Sequence, residues 1–403
     1  MKQASQPPRP LTAPCILAIN GGSSSIRFAI YDAVGKQRCR LDGKIDRIGL
    51  RGTNLVANGL PGKHRVTLPL AAADHRTAVG SLLDWLESQP VFSSVKAAGH
   101  RVVQGMKHSE PEKVTPRLLA ELHRITAYDP DHLPREISLI EALQRRHPKL
   151  PQVACFDTAF HRTMPPVAKL LPIPRRYAAR GVERYGFHGL SYAFLMEELG
   201  RLNPEAAKGR VLLAHLGSGC SMAAVHHGKS IDTSMGFTPA AGLVMSTRSG
   251  DLDPGLVYYL ARTERMSAAG FQRMINHESG LLGVSGTSSD LRDLCARETV
   301  DERAAAAVDL FCYQVRKWIG SFAAVLGGVE TLVFSAGIGE NSPRIRTRIC
   351  DGLGFLGIEI DRRRNARNTG LISPTGGRVH VRVIRTNEEL MIARSVSRVL
   401  ELG

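Results

Sequence analysis

"ILAINGGSSSIRFAIYD" runs from Ile16 to Asp32. An apolar run enters a cluster of small residues, Gly21, Gly22, Ser23, Ser24 and Ser25, and a second run leaves it. In the second run Ile26, Phe28 and Ile30 alternate with Arg27 and Ala29, the period of a strand. The stretch therefore reads as a hairpin. A tight hairpin needs only two turn residues, and Asn-Gly would suffice. Five small residues at the tip imply that something approaches the backbone closely. Backbone N–H groups on such a loop can approach phosphate oxygens closely, so the tip at Asn20–Ser25 reads as a place where a phosphate or a metal sits.

The pattern recurs near the middle of the chain. "LLAHLGSGCSMAAVHHGKSIDTS", from Leu212, is again strand, small-residue loop, strand. A third small-residue stretch, "SAGIGENS" from Ser335 to Ser342, reads as another such loop. Further strand-like runs are Val153–Phe156, Leu332–Ser335 and Val379–Ile384. Helical periodicity separates them, as at Val79, Leu82, Leu83 and Leu86 and at Val308, Phe311, Val315 and Ile319. Alternating strands and helices predict an α/β protein. The near-repeat predicts two related lobes. A Walker A loop, GxxxxGK[ST], is absent, and no GxGxxG opens a helix after a strand.

Composition bounds the alternatives. A length of 403 residues favours two domains, and 43% hydrophobic residues suffice for ordinary cores. No apolar run is long enough to span a membrane. "MKQASQPPRP" lacks the apolar core of a signal peptide, and residues 1–14 read as a disordered tail. The seven cysteines are scattered and never form CxxC, which fits a reduced, cytoplasmic protein without a zinc site. The net charge of +16 admits nucleic acid, anionic membranes or phosphorylated substrates as partners. The basic residues are dispersed, however, and the densest cluster, "DRRRNAR" from Asp361, reads as a solvated segment. No nucleic-acid-binding signature is present.

Polar residues recur in tight loops: Arg101 in "GHRVVQG", Asp157 in "CFDTAFH", His188 in "RYGFHGLS", Arg248 in "MSTRSGDLDP" and Glu388 in "RTNEEL". Singly, each has an ordinary explanation as a surface ion pair, a turn residue or a helix cap. Together they supply the cations and carboxylates that phosphoryl transfer needs. At this point the chain resembles the acetate kinase family, within the superfamily of acetate and sugar kinases, heat-shock chaperones and actin. The matching stretches include "NGGSSSIRFAIYD", "GHRVV", "FDTAFHRTMP", "RYGFHG", "HLGSGCS", "GLVMSTRSGDLDPG", "FSAGIGENSPRIR" and "IRTNEELMIAR", in family order from Ile16 to Arg394.

The resemblance implies two ribonuclease-H-like lobes around a central nucleotide cleft. The first would comprise residues 15–160 with 389–403, and the second residues 161–388 with the nucleotide site. It implies reversible, Mg²⁺-dependent phosphoryl transfer from ATP to acetate, giving acetyl phosphate and ADP. Propionate or another short-chain carboxylate is the alternative acceptor, and Mn²⁺ the alternative metal. Asn20 and Glu388 match metal-site residues. Arg101, Asp157, His188 and Arg248 match the catalytic set. Arg27 stands in place of a nucleotide-binding Lys. His215, Leu216, Gly217, Ser218 and Gly219, then Asp290, Leu291 and Arg292, then Gly337, Ile338, Gly339, Glu340 and Asn341, match segments that hold the nucleotide. Val103, Ala127, Phe187 and Pro239, with Arg101, match the substrate pocket. The family also implies a homodimer.

The chain departs from the family pattern at Gln104, Met106, Ala127, Tyr128, Asp129, Tyr192 and Ser218. Gln104 takes a His position, Met106 a Gly position, and Tyr128 and Asp129 a His-Asn pair. Tyr192 replaces a His, Ser218 an Asn, and Ala127 a bulkier Leu. Several of these flank the acyl pocket, so the departures bear on the acid more than on the reaction. The remote alternative is a non-catalytic, nucleotide-binding relative of actin.

Overall fold

The computed structural model describes residues 13–22, 25–49, 52–60, 65–70, 72 and 74–402. The chain divides into two compact units, Met1–Ala159 with Asn387–Gly403, and Phe160–Thr386. Ser23 and Ser24 of the opening loop, and residues 1–12 of the expected tail, lie outside the described residues. Pro14, also placed in that tail by the sequence, is ordered: its carbonyl accepts from the Ala33 amide.

The first unit is built on one sheet. Its strands are β1 (Cys15–Gly21), β2 (Ile26–Asp32), β3 (Cys39–Asp46), β4 (Asn54–Asn58), β5 (Val66–Pro69), β6 (Val95–Val102), β7 (Glu112–Lys113) and β8 (Gln152–Phe156). The order is β5-β4-β3-β2-β1-β6-β8-β7. β1 pairs antiparallel with β2 and parallel with β6, and β6 runs parallel to β8. Every residue of β1 is buried, as befits a central strand covered on both faces. Cys15, Leu17 and Ile19 pack with Leu82, Leu83 and Leu86 of the helix His75–Glu87, and with Leu139 and Leu143 of the helix Leu133–Arg146. The apolar spacing read from the sequence sets that contact face, and Asp74 caps the first helix by accepting from the Thr77 amide.

The helix Glu388–Val399 returns to this sheet and packs on β1, β2, β6 and β8. Its approach to β6 explains the glycine of "GHRVV". A Cβ on Gly99 would lie 2.5 Å from Cγ2 of both Ile392 and Val396. Ile392 and Val396 are fully buried, and each such side chain contributes about 1.5–3 kcal/mol over exposure.

The second unit repeats the plan. Its strands are β9 (Arg210–Leu216), β10 (Cys220–His226), β11 (Lys229–Thr233), β12 (Thr331–Ser335) and β13 (His380–Val383), ordered β11-β10-β9-β12-β13. The order matches β3-β2-β1-β6-β8 of the first unit, with the same antiparallel and parallel pairings. This is the ribonuclease-H-like arrangement, present twice. The helix Glu302–Leu326 packs on β9, β10 and β11 and buries Val308, Phe311, Val315 and Ile319. Asp301 caps its start, and Gly327 ends it in the left-handed conformation at φ 68°.

Three expectations need correction. "SAGIGENS" is not a hairpin loop, because β12 passes directly into a short helix, Ala336–Asn341. No second antiparallel strand follows there, since the neighbour of β12 is the parallel β13. "DRRRNAR" is not simply solvated. Asp361 caps a helical turn, and buried Asn365 accepts from Arg346 Nε at 2.8 Å. The unit boundaries also differ, because Phe160 packs on the second unit's core while Asn387 and Glu388 bond Tyr31 and Asn20 of the first.

After β6 the chain turns through Val103–His108. Met106, at the family's Gly position, adopts φ 49°. Its amide donates to Gln104 Oε1 at 2.9 Å. A non-glycine residue in this region carries a strain of about 1–2 kcal/mol, partly offset by the lower entropy of its unfolded chain. Met106→Gly is expected to raise unfolding free energy by about 0.5–1 kcal/mol in a urea titration. A loss of stability would show that packing of the Met106 side chain outweighs the strain.

Candidate active site

In the first unit the ends of β1, β6 and β8 lie side by side, which is why residues distant in sequence meet. Arg101 near the end of β6 donates to Asp157 Oδ2 from Nη2 at 2.8 Å and from Nε at 3.2 Å. Its Nη1 donates to the Gly21 carbonyl at 3.3 Å. Asp157 is fully buried just after β8, and its amide bonds the Val102 carbonyl at 2.9 Å. Burial alone would lower the Arg101 pKa, but Asp157, then Glu388, outweigh it and hold the guanidinium charged. Among the described residues three of the five guanidinium N–H groups are engaged, which leaves two for a ligand.

Asn20, on the last turn of β1, donates from Nδ2 to Glu388 Oε2 at 2.8 Å and to Glu389 Oε1 at 3.1 Å. The Asn20 side-chain oxygen and two carboxylates form a hard, oxygen-rich group. Such donors suit Mg²⁺ held largely through water and phosphate. Among the described residues no group of three or more His, Cys, Asp or Glu could hold a metal ion. Glu389 was not singled out from the sequence. Its place directly after Glu388 at the start of the same helix was the available signal. Burial, then the neighbouring Glu388, pushes its carboxyl above the usual range.

Two departures from the family pattern, Gln104 and Asp129, lie in the first unit with Glu136. Gln104, Asp129 and Glu136 are all buried. Asp129 Oδ1 bonds His132 Nδ1 at 2.9 Å. Glu136 Oε2 accepts from the Val103 amide at 2.9 Å. Gln104 Nε2, Asp129 Oδ2 and Glu136 Oε1 have no hydrogen-bond partner among the described residues. Val103 is buried, whereas Ala127 is exposed on the turn Thr126–Tyr128. Arg27 is the exposed residue of the otherwise buried β2, and its charge lowers the Glu389 pKa against burial.

In the second unit His188 starts the helix Gly189–Leu202 with left-handed backbone, φ 59°. Its Nδ1 lies 2.8 Å or less from Ser221 Oγ, at 2.7 Å, and Tyr192 OH bonds the same Ser221 oxygen. The His188 ring stacks on His215 with centroids 4.1 Å apart. His215 Nδ1 meets Ser191 Oγ at 2.8 Å, and Ser191 meets Thr386 Oγ1 at 2.8 Å. Leu216 ends β9, and the turn that follows is closed by Gly217 N–H to Gly219 O at 3.1 Å. The Ser246 amide donates to the Ser218 carbonyl at 3.1 Å, which ties this turn to the Arg248 segment. A Cβ on Gly219 would lie 3.0 Å from Arg248 Nη2 and 3.3 Å from His188 Nε2. Glycine there lets a cation and an imidazole converge on one backbone position. Arg248 Nη1 also donates to the Pro239 carbonyl at 2.7 Å, which brings Pro239 to this group, and buried Phe187 precedes His188.

The segment Gly337–Asn341 is held from behind. Glu340 Oε1 accepts from the Ala336 amide at 2.8 Å and the Thr386 amide at 3.1 Å, while Asn341 bonds the Gly337 carbonyl. Arg346 is fully buried and donates to the Gly339 and Glu340 carbonyls at 2.8 and 3.1 Å. Ile338 and Gly339 sit within this braced turn. The sequence quoted Arg346 inside a motif without assigning it work. Asp290 caps the helix Leu291–Arg297 and pairs with exposed Arg292, while Leu291 is buried. Ser221, Tyr192 and Arg346 thus join the site as supports that sequence reading left out or treated as departures.

Comparison with known proteins matches this geometry. The profile of the Acetokinase family matches residues 15–394. An acetate kinase of Nitrobacter hamburgensis is 45% identical, over 94% of this chain and 94% of its own. A propionate kinase of Citrobacter rodentium is 43% identical, over 95% and 96%. The crystal structure of a propionate kinase from Francisella tularensis superposes with a TM-score of 0.88 at 35% identity, covering 95% of this chain and 98% of that one. With two ribonuclease-H-like units and a family match over nearly its whole length, the chain belongs to the acetokinase family, phosphotransferases that use ATP or ADP as co-substrate.

Proposed function

We infer that the chain transfers the γ-phosphoryl group of ATP reversibly to acetate, giving acetyl phosphate and ADP, with propionate as the alternative acceptor. One observation carries this reading: Arg101 is largely buried and charged, yet two of its donors have no hydrogen-bond partner among the described residues, beside a carboxylate that orients it. A largely buried, partly engaged guanidinium suits a carboxylate substrate. The acid needs no general base, since it is already an anion. One carboxylate oxygen forms a bond to the γ-phosphorus, and the bond from phosphorus to the β-bridging oxygen breaks. ADP leaves with that electron pair.

The obstacle is charge, and the chain's residues address it electrostatically. Asp157 fixes Arg101, which holds the acid and its developing phosphoryl bond. Arg248 Nη2 and His188 Nε2 meet at Gly219 and serve the equatorial oxygens. If Tyr192 donates to Ser221 and Ser221 to His188 Nδ1, the His188 proton sits on Nε2, where it can donate. Asn20 and Glu388 would hold Mg²⁺, which would neutralise the phosphate charge. His215–Gly219, Asp290–Arg292, Gly337–Asn341 and Arg27 bind the nucleotide.

Trapping the acyl phosphate with hydroxylamine tests this directly. ATP, Mg²⁺ and acetate should give hydroxamate, and chelation of the metal should abolish it. No product with any short-chain acid would favour a non-catalytic, actin-like binding protein instead.

The partner and compartment follow similar lines. The helix Gly255–Thr263 has no buried residue and exposes Tyr258 at 71% and Tyr259 at 60%. A helix so apolar and so bare suits burial against a second copy, and sedimentation should return twice the monomer mass. Tyr258→Asp should shift the equilibrium towards monomer; a parent that sediments as a monomer at micromolar concentration would contradict the homodimer. All seven cysteines are free thiols, which supports a reducing cytoplasm. No described helix is long and apolar enough to cross a membrane.

Arg248→Ala is expected to lower kcat at least about 100-fold while the KM for ATP stays within about threefold. Near-normal turnover would remove Arg248 from the catalytic set.

The acid preference depends on Ala127. Each methylene is worth only about 0.8 kcal/mol when buried, so selectivity for acetate requires steric exclusion. With Ala in place of Leu, kcat/KM for propionate should lie within about tenfold of that for acetate. Ala127→Leu should move the ratio back towards acetate by about tenfold. A parent preference for acetate beyond about a hundredfold would point to another residue as the wall.

A further inference from the structure

Glu136 is a buried acid that the reaction scheme above does not use. It lies on the helix Leu133–Arg146, and its Oε2 accepts from the Val103 amide at 2.9 Å. Its Cγ would be 3.9 Å from a Cβ on Gly21, the residue whose carbonyl accepts from Arg101. Glu136 therefore sits between the ends of β1 and β6, flanking Arg101 on both strands. Its second oxygen, Oε1, has no partner among the described residues.

An ionised carboxylate is poorly served here. It presents about four acceptor sites, and this one receives a single donor among the described residues. Arg101 is already paired with Asp157 and influenced by Glu388. The charged groups acting on Glu136 are Arg101 on β6, Asp129 before its own helix and Asp157 after β8. β1 faces it with uncharged Gly21. Two of these three charges are anions. Burial first, then these anions, raise its carboxyl to about 8, against the lowering effect of Arg101 and the Val103 amide. At neutral pH it is a carboxylic acid.

We propose that Glu136 is a positioning residue of the acid subsite: as a neutral carboxylic acid it holds the Val103 strand end and leaves the charge of Arg101 to the incoming carboxylate. Ionisation would turn it into a competitor for the same guanidinium and repel the substrate. The proposal rests on the reading of Arg101 as the group that binds the acid.

The test is the pH dependence of the KM for acetate, measured from pH 6.5 to 9.5 by ADP release in the parent, Glu136→Gln and Glu136→Leu. In the parent the KM for acetate should rise about tenfold between pH 7 and 9, with kcat and the KM for ATP changing less than about threefold. Glu136→Gln keeps an acceptor for the Val103 amide and cannot ionise, so its KM should stay within about twofold over that range. Glu136→Leu loses the acceptor and should raise the KM for acetate at every pH. A parent profile flat to pH 9.5 would overturn the proposal without any variant. An identical alkaline rise in Glu136→Gln would overturn it too. Failure of the functional reading looks different, because the parent would then show no acid-dependent ADP release at all.

Discussion

One largely buried guanidinium organises the first unit. Arg101 reaches from β6 to the β1 carbonyl at Gly21 and to Asp157 beyond β8, so three strand ends are joined through it. A charge placed so deep requires compensation, since an unpaired buried ion is among the costliest groups in a protein. Asp157 supplies the direct pair. Asp157 is itself fully buried, so neither ion is stable there without the other. The arrangement has a consequence for geometry. The donors that Arg101 presents to a ligand are aimed by bonds to the ends of two other strands, and no single loop can re-aim them.

The second unit uses strain where the first uses charge. His188 and Ala336 are non-glycine residues with left-handed backbone, at φ 59° and 62°. Each stands where a chain turns into a helix bearing candidate ligand groups. The conformation costs roughly 1–2 kcal/mol per residue and persists only when surroundings enforce it. For His188 those surroundings are Ser221, Tyr192 and the stacked His215 ring. For Ala336 they are Glu340 and, behind it, Arg346. Burial lowers the Arg346 pKa to about 10, still far above neutrality, so the guanidinium stays charged while gripping carbonyls.

Much of this was legible in the amino-acid order. The hairpins at Ile16 and Leu212 carried a period of two and a repeated loop, and both became the central antiparallel pair of a sheet. "GHRVV" and "FDTAF" marked Arg101 and Asp157, which do pair. What escaped were residues whose work depends on packing. Glu136 looks like one more polar residue on an amphipathic helix. Only the register of that helix against β6 turns it inward to Val103. Arg346 sits among other arginines in "SPRIRTR", and nothing local distinguishes the buried one. "SAGIGENS" resembled the two hairpin loops in composition, but small residues also suit a tight strand-to-helix turn. Tyr192 read as a lost histidine, and the structure gives it a hydroxyl bonded to the serine that holds His188.

The path of the chain also sets an order of assembly. The first unit combines residues up to Ala159 with the last segment from Asn387, and the second lies wholly between them in sequence. Asn20 and Glu388 are separated by 368 positions yet share a hydrogen bond. On a ribosome, β1 therefore emerges early and waits for the helix that covers its face and passes Gly99. The second unit has every strand of its sheet in hand before that helix is made. The segment from Asn387, made after the second unit, completes the first, and contacts this non-local form slowly. A nascent chain can thus hold a finished second sheet while the carboxylates that belong beside Asn20 do not yet exist.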